Sequence, residues 1–379
     1  MGVVSCSSPD QRSIPADTFY FPSVLLQDQD HLFVVNSNLD LQYSSGNILQ
    51  IDLNTQRVVG LQSTPSLAGE ACLLASNQIL ITDQTHPQLV QSAQPLLPLT
   101  YQAAYFLKLS PDRNWGLVGY LTPVVSESWN DSKDSLLSNQ PEIQSFALSA
   151  SGIELKDSFQ LKNCFPSPSR SLRRIGRLGA LIVQDSQVFV LFEFVVDDPD
   201  HVNRSYKHAF FLQAPLSDVQ AGHLCSSSNR PFDLSQTEQS QGLRDLAITK
   251  DQSTAYVLMD EEPLLLRVSL QPSPMVTARV ATCRGPTRLK LSPNEESVFV
   301  SCAKSNELVA YNAKDLLLYG KENRSDAPGG PVDILFDQTT DHRIFVTYQQ
   351  DHKIGIFSYA NVSSRQRSLA FSEWLQLSR

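Results

Sequence analysis

The chain has 379 residues, 41% of them hydrophobic and only 18% charged, with a formal net charge of −9. That charge disfavours a nucleic-acid partner, because phosphate backbones attract basic faces. No apolar run approaches the ~20 residues of a membrane-spanning helix, and the 22 prolines argue against long helices of any kind.

The chain opens with MGVVSCSSPDQRSIPAD. Val3-Val4-Ser5-Cys6 has the form of the end of a bacterial lipoprotein signal, two aliphatic residues and a small one before the cysteine that takes the lipid. The basic and apolar regions of a complete signal are missing from it. N-myristoylation fits less well, since it needs Ser or Thr where Cys6 stands. Residues 1–18 are therefore expected to be a flexible tether with Cys6 as its lipidation site. The protein would then be held at a bacterial cell envelope by a lipid anchor only, facing the periplasm or the exterior. A cytoplasmic scaffold with every cysteine reduced is the alternative.

From residue 19 to 379 one grammar recurs: an apolar strand, a polar turn, a second apolar strand, a loop, and a third strand. Units start at Phe21, Gly69, Gln102, Arg177, Gln241, Gly285 and Gly329. The clearest copy is GPTRLKLSPNEESVFVSCAKSNELVAYN, from Gly285. Leu243 precedes Pro286 by 43 residues, and Pro286 precedes Pro331 by 45. Repeats of about 40–45 residues with four short strands are blades of a β-propeller. A lone blade exposes both faces, and stacking around an axis covers them. The expected fold is all-β: a single seven-bladed β-propeller with four-stranded antiparallel blades, acting as a monomer.

The segments PTRLKLSPNEESVFVSCAKSNELVAYNAKDL and PVDILFDQTTDHRIFVTYQQDHKIGIFSY resemble the bacterial YVTN family of propeller repeats. FVVN (33–36), VFVS (298–301) and IFVT (344–347) stand at its second-strand signature, and ILQID (48–52) at the third. The resemblance implies the fold and a propeller lipoprotein. It implies no particular activity.

Long connections occur between second and third strands: NSNLDLQYSSGN (36–47), roughly 121–142 and 195–207. The linkers 162–177 and 222–241 are assigned to the same face. Loops on a rigid ring are where recognition usually resides, so this face is expected to bind a protein or another envelope component. Trp129, Tyr206 and Phe232 are its candidate anchors. Arg170, Arg173, Arg174 and Arg177 form a basic cluster, and Asp197, Asp198 and Asp200 an acidic one. Aromatic and Arg side chains dominate interface hot spots.

Alignment of the first strands places Ser23, Ala71, Phe106, Ala180, Asp245, Arg288 and Asp333 at one position of the channel wall. Asp245–Arg288–Asp333 is then either a polar pocket with Arg288 gripping an anion or an ion-pair network tying blade 7 to blades 5 and 6. An arginine between two carboxylates already has its partners, which favours the network. Glu70 and Arg244, one residue earlier in their strands, fit either scheme. HxH, HExxH and GxSxG do not occur, nor does a glycine-rich phosphate loop. The expectation is therefore a non-enzymatic binding or scaffold protein with no cofactor and no metal. A lactonase- or hydrolase-like site at the channel mouth is the alternative.

Six cysteines stand at 6, 72, 164, 225, 283 and 302. Cys283 and Cys302 are placed near one face of blade 6. Cys164 and Cys225 are placed in the linkers before and after blade 4. Both pairs are disulfide candidates. Cys72, in ACLLA, is expected to be a small buried hydrophobe.

Overall fold

The structure is a computed structural model, and it describes residues 13–75, 78–84, 86, 88–91, 94–99, 104–120, 143–149, 152–165, 172–197, 205–226, 229–234, 242–340, 342–362 and 366–377. They form seven antiparallel sheets of four strands, each sheet built from four consecutive strands. Blade 1 spans Pro22–Thr64, blade 2 Ala68–Pro98, blade 3 Ala104–Phe159 and blade 4 Leu172–Asp233. Blade 5 spans Leu243–Ala281, blade 6 Pro286–Asn323 and blade 7 Pro331–Trp374. The protein is a seven-bladed β-propeller. First strands of neighbouring blades touch one another around the ring and so line its channel.

Position within the blade sets the side-chain pattern. The second strand of blade 6, Ser297–Cys302, is buried at every residue, and so are its counterparts Trp115–Tyr120 and Thr254–Met259. These strands lie between neighbouring blades on both faces, so they read as continuous apolar runs rather than alternating ones. Burying each large apolar side chain contributes about 1.5–3 kcal/mol before entropy is counted. Outer strands such as Met275–Ala281 alternate exposed with half-buried, because one face meets solvent.

The polar turn after the first strand, Ser110-Pro111-Asp112 in blade 3, Thr249-Lys250-Asp251 in blade 5 and Ser292-Pro293-Asn294 in blade 6, has a physical cause. In blades 3, 5 and 6, the hydroxyls of Ser110, Thr249 and Ser292 donate to Asp112, Asp251 and Asn294 at 2.5, 2.6 and 2.7 Å. The backbone N–H groups of Arg113, Gln252 and Glu295 bond back to Ser110, Thr249 and Ser292. Short polar side chains satisfy the turn's backbone locally, which is why they recur there.

Blades 1 and 7 exchange no strand, so side chains close the ring. Leu25, Leu32 and Ile51 of blade 1 pack against Phe345, Ile354 and Ile356 of blade 7, together with Phe19 and Leu375. Asp337 begins the turn of blade 7 where blades 3, 5 and 6 have Ser110, Thr249 and Ser292. Its buried carboxylate accepts hydrogen bonds from Gln27 Nε2 of blade 1 at 2.8 Å, from the Thr339 N–H at 2.9 Å and from Thr340 Oγ1 at 2.7 Å. Burial pushes the Asp337 pKa up, but the bonds from Thr340, Gln27 and Thr339 outweigh it and hold the carboxyl at about 2, below its ordinary 3.8. A depressed carboxylate stabilises the fold above its unfolded value and stops doing so as pH falls through the folded one. Stability is therefore expected to drop by about 2 kcal/mol between about pH 4 and pH 2. Equilibrium urea unfolding across that window checks this. Asp337→Asn should be less stable at pH 7 and show a flatter acid limb, and an unchanged limb would refute the assignment.

The stretch read as a tether over 1–18 is docked at its C-terminal end. Ile14 is buried, and its carbonyl accepts from Asn47 Nδ2 at 3.3 Å. Blade 4 also departs from expectation. Its third strand runs Ser205–Pro215, a short helix follows at Leu216–Gln220, and its fourth strand is only Phe232–Asp233. Residues 216–231 are thus a long connection between third and fourth strands. That connection leaves blade 4 at the end opposite the blade 1 connection 37–45, so the long connections do not all share one face; the insertions 121–142 and 198–204 lie outside the described residues.

Candidate functional site

The channel mouth is built from first strands that share one irregularity. A bulge follows Pro22, Leu243, Pro286 and Pro331, and it resets which side chains reach the channel. Register makes Val24, not Ser23, the blade 1 counterpart of Asp245 and Arg288. Ser23 instead matches Thr287. Both hydroxyls turn onto their own second strands, Ser23 Oγ to Val35 O at 3.2 Å and Thr287 Oγ1 to Ser301 O at 3.1 Å.

The inner edge of a first strand presents backbone N–H groups with no further strand to pair with. Carboxylates of the preceding blade cap them. Asp333 Oδ2 accepts from the Leu25 N–H at 3.0 Å, bridging blade 7 to blade 1. Asp245 Oδ2 accepts from the Leu289 N–H at 2.8 Å, and Glu70 Oε2 from the Leu107 N–H at 2.8 Å. Glu193, on the second strand of blade 4, does the same for the Leu243 N–H of blade 5 at 2.5 Å. Each carboxylate staples two blades and satisfies an otherwise orphaned amide.

Arg288 lies between two of these carboxylates. Its Nε donates to Asp333 Oδ1 at 3.1 Å, and its terminal nitrogen is 4.0 Å from Asp245 Oδ2. Burial works against the Arg288 charge. Asp333 and then Asp245, with Glu70 and Tyr105 contributing, more than offset it and raise the guanidinium pKa above its ordinary value. Lys108 pairs with Glu70, and Arg244 Nε donates to Thr287 O at 3.2 Å. Arg288 and Lys108 thus engage carboxylates at the mouth, and Arg244 engages a backbone carbonyl of the next blade. The arrangement suits holding blades in register.

Sequence reasoning did not identify Glu193, Lys108 or Tyr105. Glu193 had a usable signal: a single carboxylate inside the apolar run VFVLFEFVV must have a polar partner if buried. Among the described residues, no group of three His, Cys, Asp or Glu side chains could hold a metal ion.

The other candidates fall elsewhere. Trp129, Arg170, Asp198, Asp200 and Cys6 lie outside the described residues. Arg173 and Arg174 were assigned to a linker, but their backbone belongs to the first strand of blade 4, Leu172–Gln184. Tyr206 was assigned to a loop and lies in the strand Ser205–Pro215, opposite Val196. Blade 4 simply has longer strands than its neighbours. Phe232 is half-buried in the two-residue fourth strand.

On the loop-rich face, the connection after the second strand of blade 1 is held from beneath by buried asparagines. Asn38 Nδ2 donates to Tyr43 O at 2.6 Å, and Asn38 Oδ1 accepts from the Tyr43 N–H at 3.1 Å. Asn36 Nδ2 donates to Asn47 Oδ1 at 2.8 Å. This fixed base presents Leu39 and Leu41 to solvent at 45% and 54% exposure.

Cysteines 283 and 302 form a disulfide with Cα atoms 5.8 Å apart, and 164 and 225 form another with Cα atoms 4.3 Å apart. Cys225 is not in the linker after blade 4 but in the third-to-fourth-strand connection inside it. The bond therefore ties blade 4 to the segment Leu161–Cys164 that leads in from blade 3. Cys72 is a free, half-buried thiol whose pKa is pushed up by burial and by Glu70.

No family model matches the sequence, and no curated protein does either. Solved structures match in shape across nearly the whole chain. Hydrazine synthase from Kuenenia stuttgartiensis aligns with a TM-score of 0.59 at 10% identity, covering 95% of this chain and 99% of that one. The β-propeller domain of Cps50 (Swd1) from Myceliophteria thermophila aligns at 0.59 and 9% identity, covering 90% and 97%. The periplasmic gluconolactonase PpgL of Pseudomonas aeruginosa aligns at 0.52 and 15% identity, covering 94% and 85%. Such likenesses establish the propeller fold and stop there, since one fold hosts many activities.

Proposed function

We propose that this propeller is a non-enzymatic binding scaffold of the bacterial cell envelope, recognising a protein or other envelope component through its loop-rich face. The observation that carries the reading is the state of the channel mouth. Asp245, Asp333 and Glu70 are committed to backbone amides of adjacent blades and to Arg288 and Lys108. Recognition is then left to the faces, where the asparagine-braced tip with Leu39 and Leu41 projects. Two disulfides support an oxidising compartment. The lipobox-like start supports a tether at Cys6, and the YVTN-like repeats fit a propeller lipoprotein.

Site-specific photocrosslinking in intact cells tests the binding face. A photoreactive residue at Leu41 should give an adduct of one defined mass, and one at Leu317 on the opposite face should not. Equal labelling at both would remove the reading. Intact mass of protein expressed from its native gene tests the tether separately. A diacylglyceryl-sized increment at Cys6 is expected, and an unmodified Cys6 rules the anchor out.

A lactonase-like activity is the competing reading, supported only by the likeness in fold to PpgL. It requires Glu70, Asp245, Arg288 or Asp333 to act on a substrate. Lactone turnover abolished by Glu70→Gln in a folded protein would establish it.

A further inference from the structure

The seam between blades 1 and 7 contains one bond whose chemistry is incompatible with acid. The Phe21 N–H donates to His352 Nδ1 at 3.0 Å, joining residues 331 positions apart. The Tyr20 ring stacks on the imidazole at 4.8 Å, with planes 11° apart, and the Phe21 ring meets it edge-on at 4.5 Å. Tyr20 is held in turn by its hydroxyl, which donates to Asp40 Oδ2 at 2.5 Å, and by its backbone N–H, which donates to Asn36 Oδ1 at 3.1 Å. Phe21 and His352 both occupy the left-handed region, with φ of 45° and 55°. Such backbone is strained for side chains of this size, and it persists here because surrounding bonds hold it.

An imidazole nitrogen that accepts a hydrogen bond carries no proton. The imidazolium carries one on each nitrogen. Protonation of His352 and the Phe21 bond are therefore mutually exclusive. We propose that His352 is an acid-sensitive clasp: when its ring takes up a proton, the bond from Phe21 is lost and the segment from Ser13 to Phe21 loosens from blade 7.

The groups facing the ring set its direction of response. Burial opposes the charged form most, while Asp40, from the connection after the second strand of blade 1, and the adjacent Asp351 favour it. Tyr20, stacked on the ring, is held neutral by burial and by Asp40, and Tyr43 meets the Tyr20 ring edge-on. Burial prevails, so the His352 pKa lies below its ordinary 6.5. A depressed histidine binds fewer protons folded than unfolded. Its contribution is present above the unfolded value and is lost as pH falls below it. That loss begins near the ordinary histidine value, above the pH at which the Asp337 loss begins.

Hydrogen exchange of the full chain, corrected for the intrinsic pH dependence of exchange, tests the clasp. The protection factor of the Phe21 amide should fall by about tenfold between pH 7.5 and pH 5, the worth of one net hydrogen bond. In His352→Asn the fall should vanish, because an amide oxygen accepts at both pH values and asparagine tolerates the left-handed region. Equal protection at both pH values in the wild type, or the same fall in His352→Asn, would overturn the proposal. Should that variant not fold, the wild type decides alone. The carbon shifts of the His352 ring and the Phe21 amide shift should titrate with one midpoint, and separate midpoints would equally overturn it.

Discussion

Replacing Asp333 with alanine is expected to cost about 3–5 kcal/mol of stability, the magnitude of breaking a buried ion pair from one side. Asp333 is 4% exposed. It accepts both the closer bond of Arg288, at 3.1 Å, and the Leu25 N–H across the closing seam, at 3.0 Å. Its loss leaves the guanidinium with the longer contact to Asp245 at 4.0 Å and leaves the Leu25 amide without its acceptor. Asp245→Ala removes the longer of the two Arg288 contacts and a staple that does not close the ring, so its cost should be smaller. Equilibrium urea unfolding of the two variants checks the order. A larger loss for Asp245→Ala, or a loss for Asp333→Ala within about 0.5 kcal/mol of wild type, would contradict the assignment.

The second large effect concerns the disulfides. They close loops of very different size, with sequence separations of 61 for Cys164–Cys225 and 19 for Cys283–Cys302. Restricting the unfolded chain should contribute about 4 kcal/mol for the longer loop and about 3 kcal/mol for the shorter. Paired Cys→Ala replacements avoid leaving a lone thiol. The pair at 164 and 225 should lower the urea midpoint more than the pair at 283 and 302. The reverse order, or no effect from either pair, would show that the bonds do not constrain the chain in this way. A reducing compartment would forfeit both contributions, so the compartment bears directly on how stable the ring is.

Blade number was readable because the signals repeat. Each unit offers an apolar first strand, and several mark their turn with Ser or Thr two residues before Asp or Asn, whose side-chain bond is a local and therefore sequence-visible device. The fully buried second strands were equally plain as apolar runs. Blade 4 was harder to read for a physical reason. Its first three strands run 13, 11 and 11 residues, and in their outer parts Arg173, Arg174 and Tyr206 interrupt the apolar alternation that marks a strand. Its two-residue fourth strand carries almost no pattern at all, which is why Cys225 was assigned to the wrong connection.

The channel mouth was half readable. Alignment brought Asp245, Arg288 and Asp333 to one level, because side chains at equivalent bulged positions reach the same place. Ser23 was misplaced by one residue, since a bulge shifts register without leaving a mark in composition. The partners of the carboxylates were invisible for a deeper reason. They are backbone amides, which every non-proline residue has, and only the ring geometry decides which amides stand unpaired.

The most direct test of the central claim, that these charges hold the blades together, is a double-mutant cycle between Arg288 and Asp333. Arg288→Met, Asp333→Asn and the double variant would be compared with wild type by urea unfolding. A structural staple predicts a coupling of about 1–3 kcal/mol, with the double variant less damaged than the sum of the singles. Additivity to within about 0.5 kcal/mol would mean that the pair does not bind the ring together.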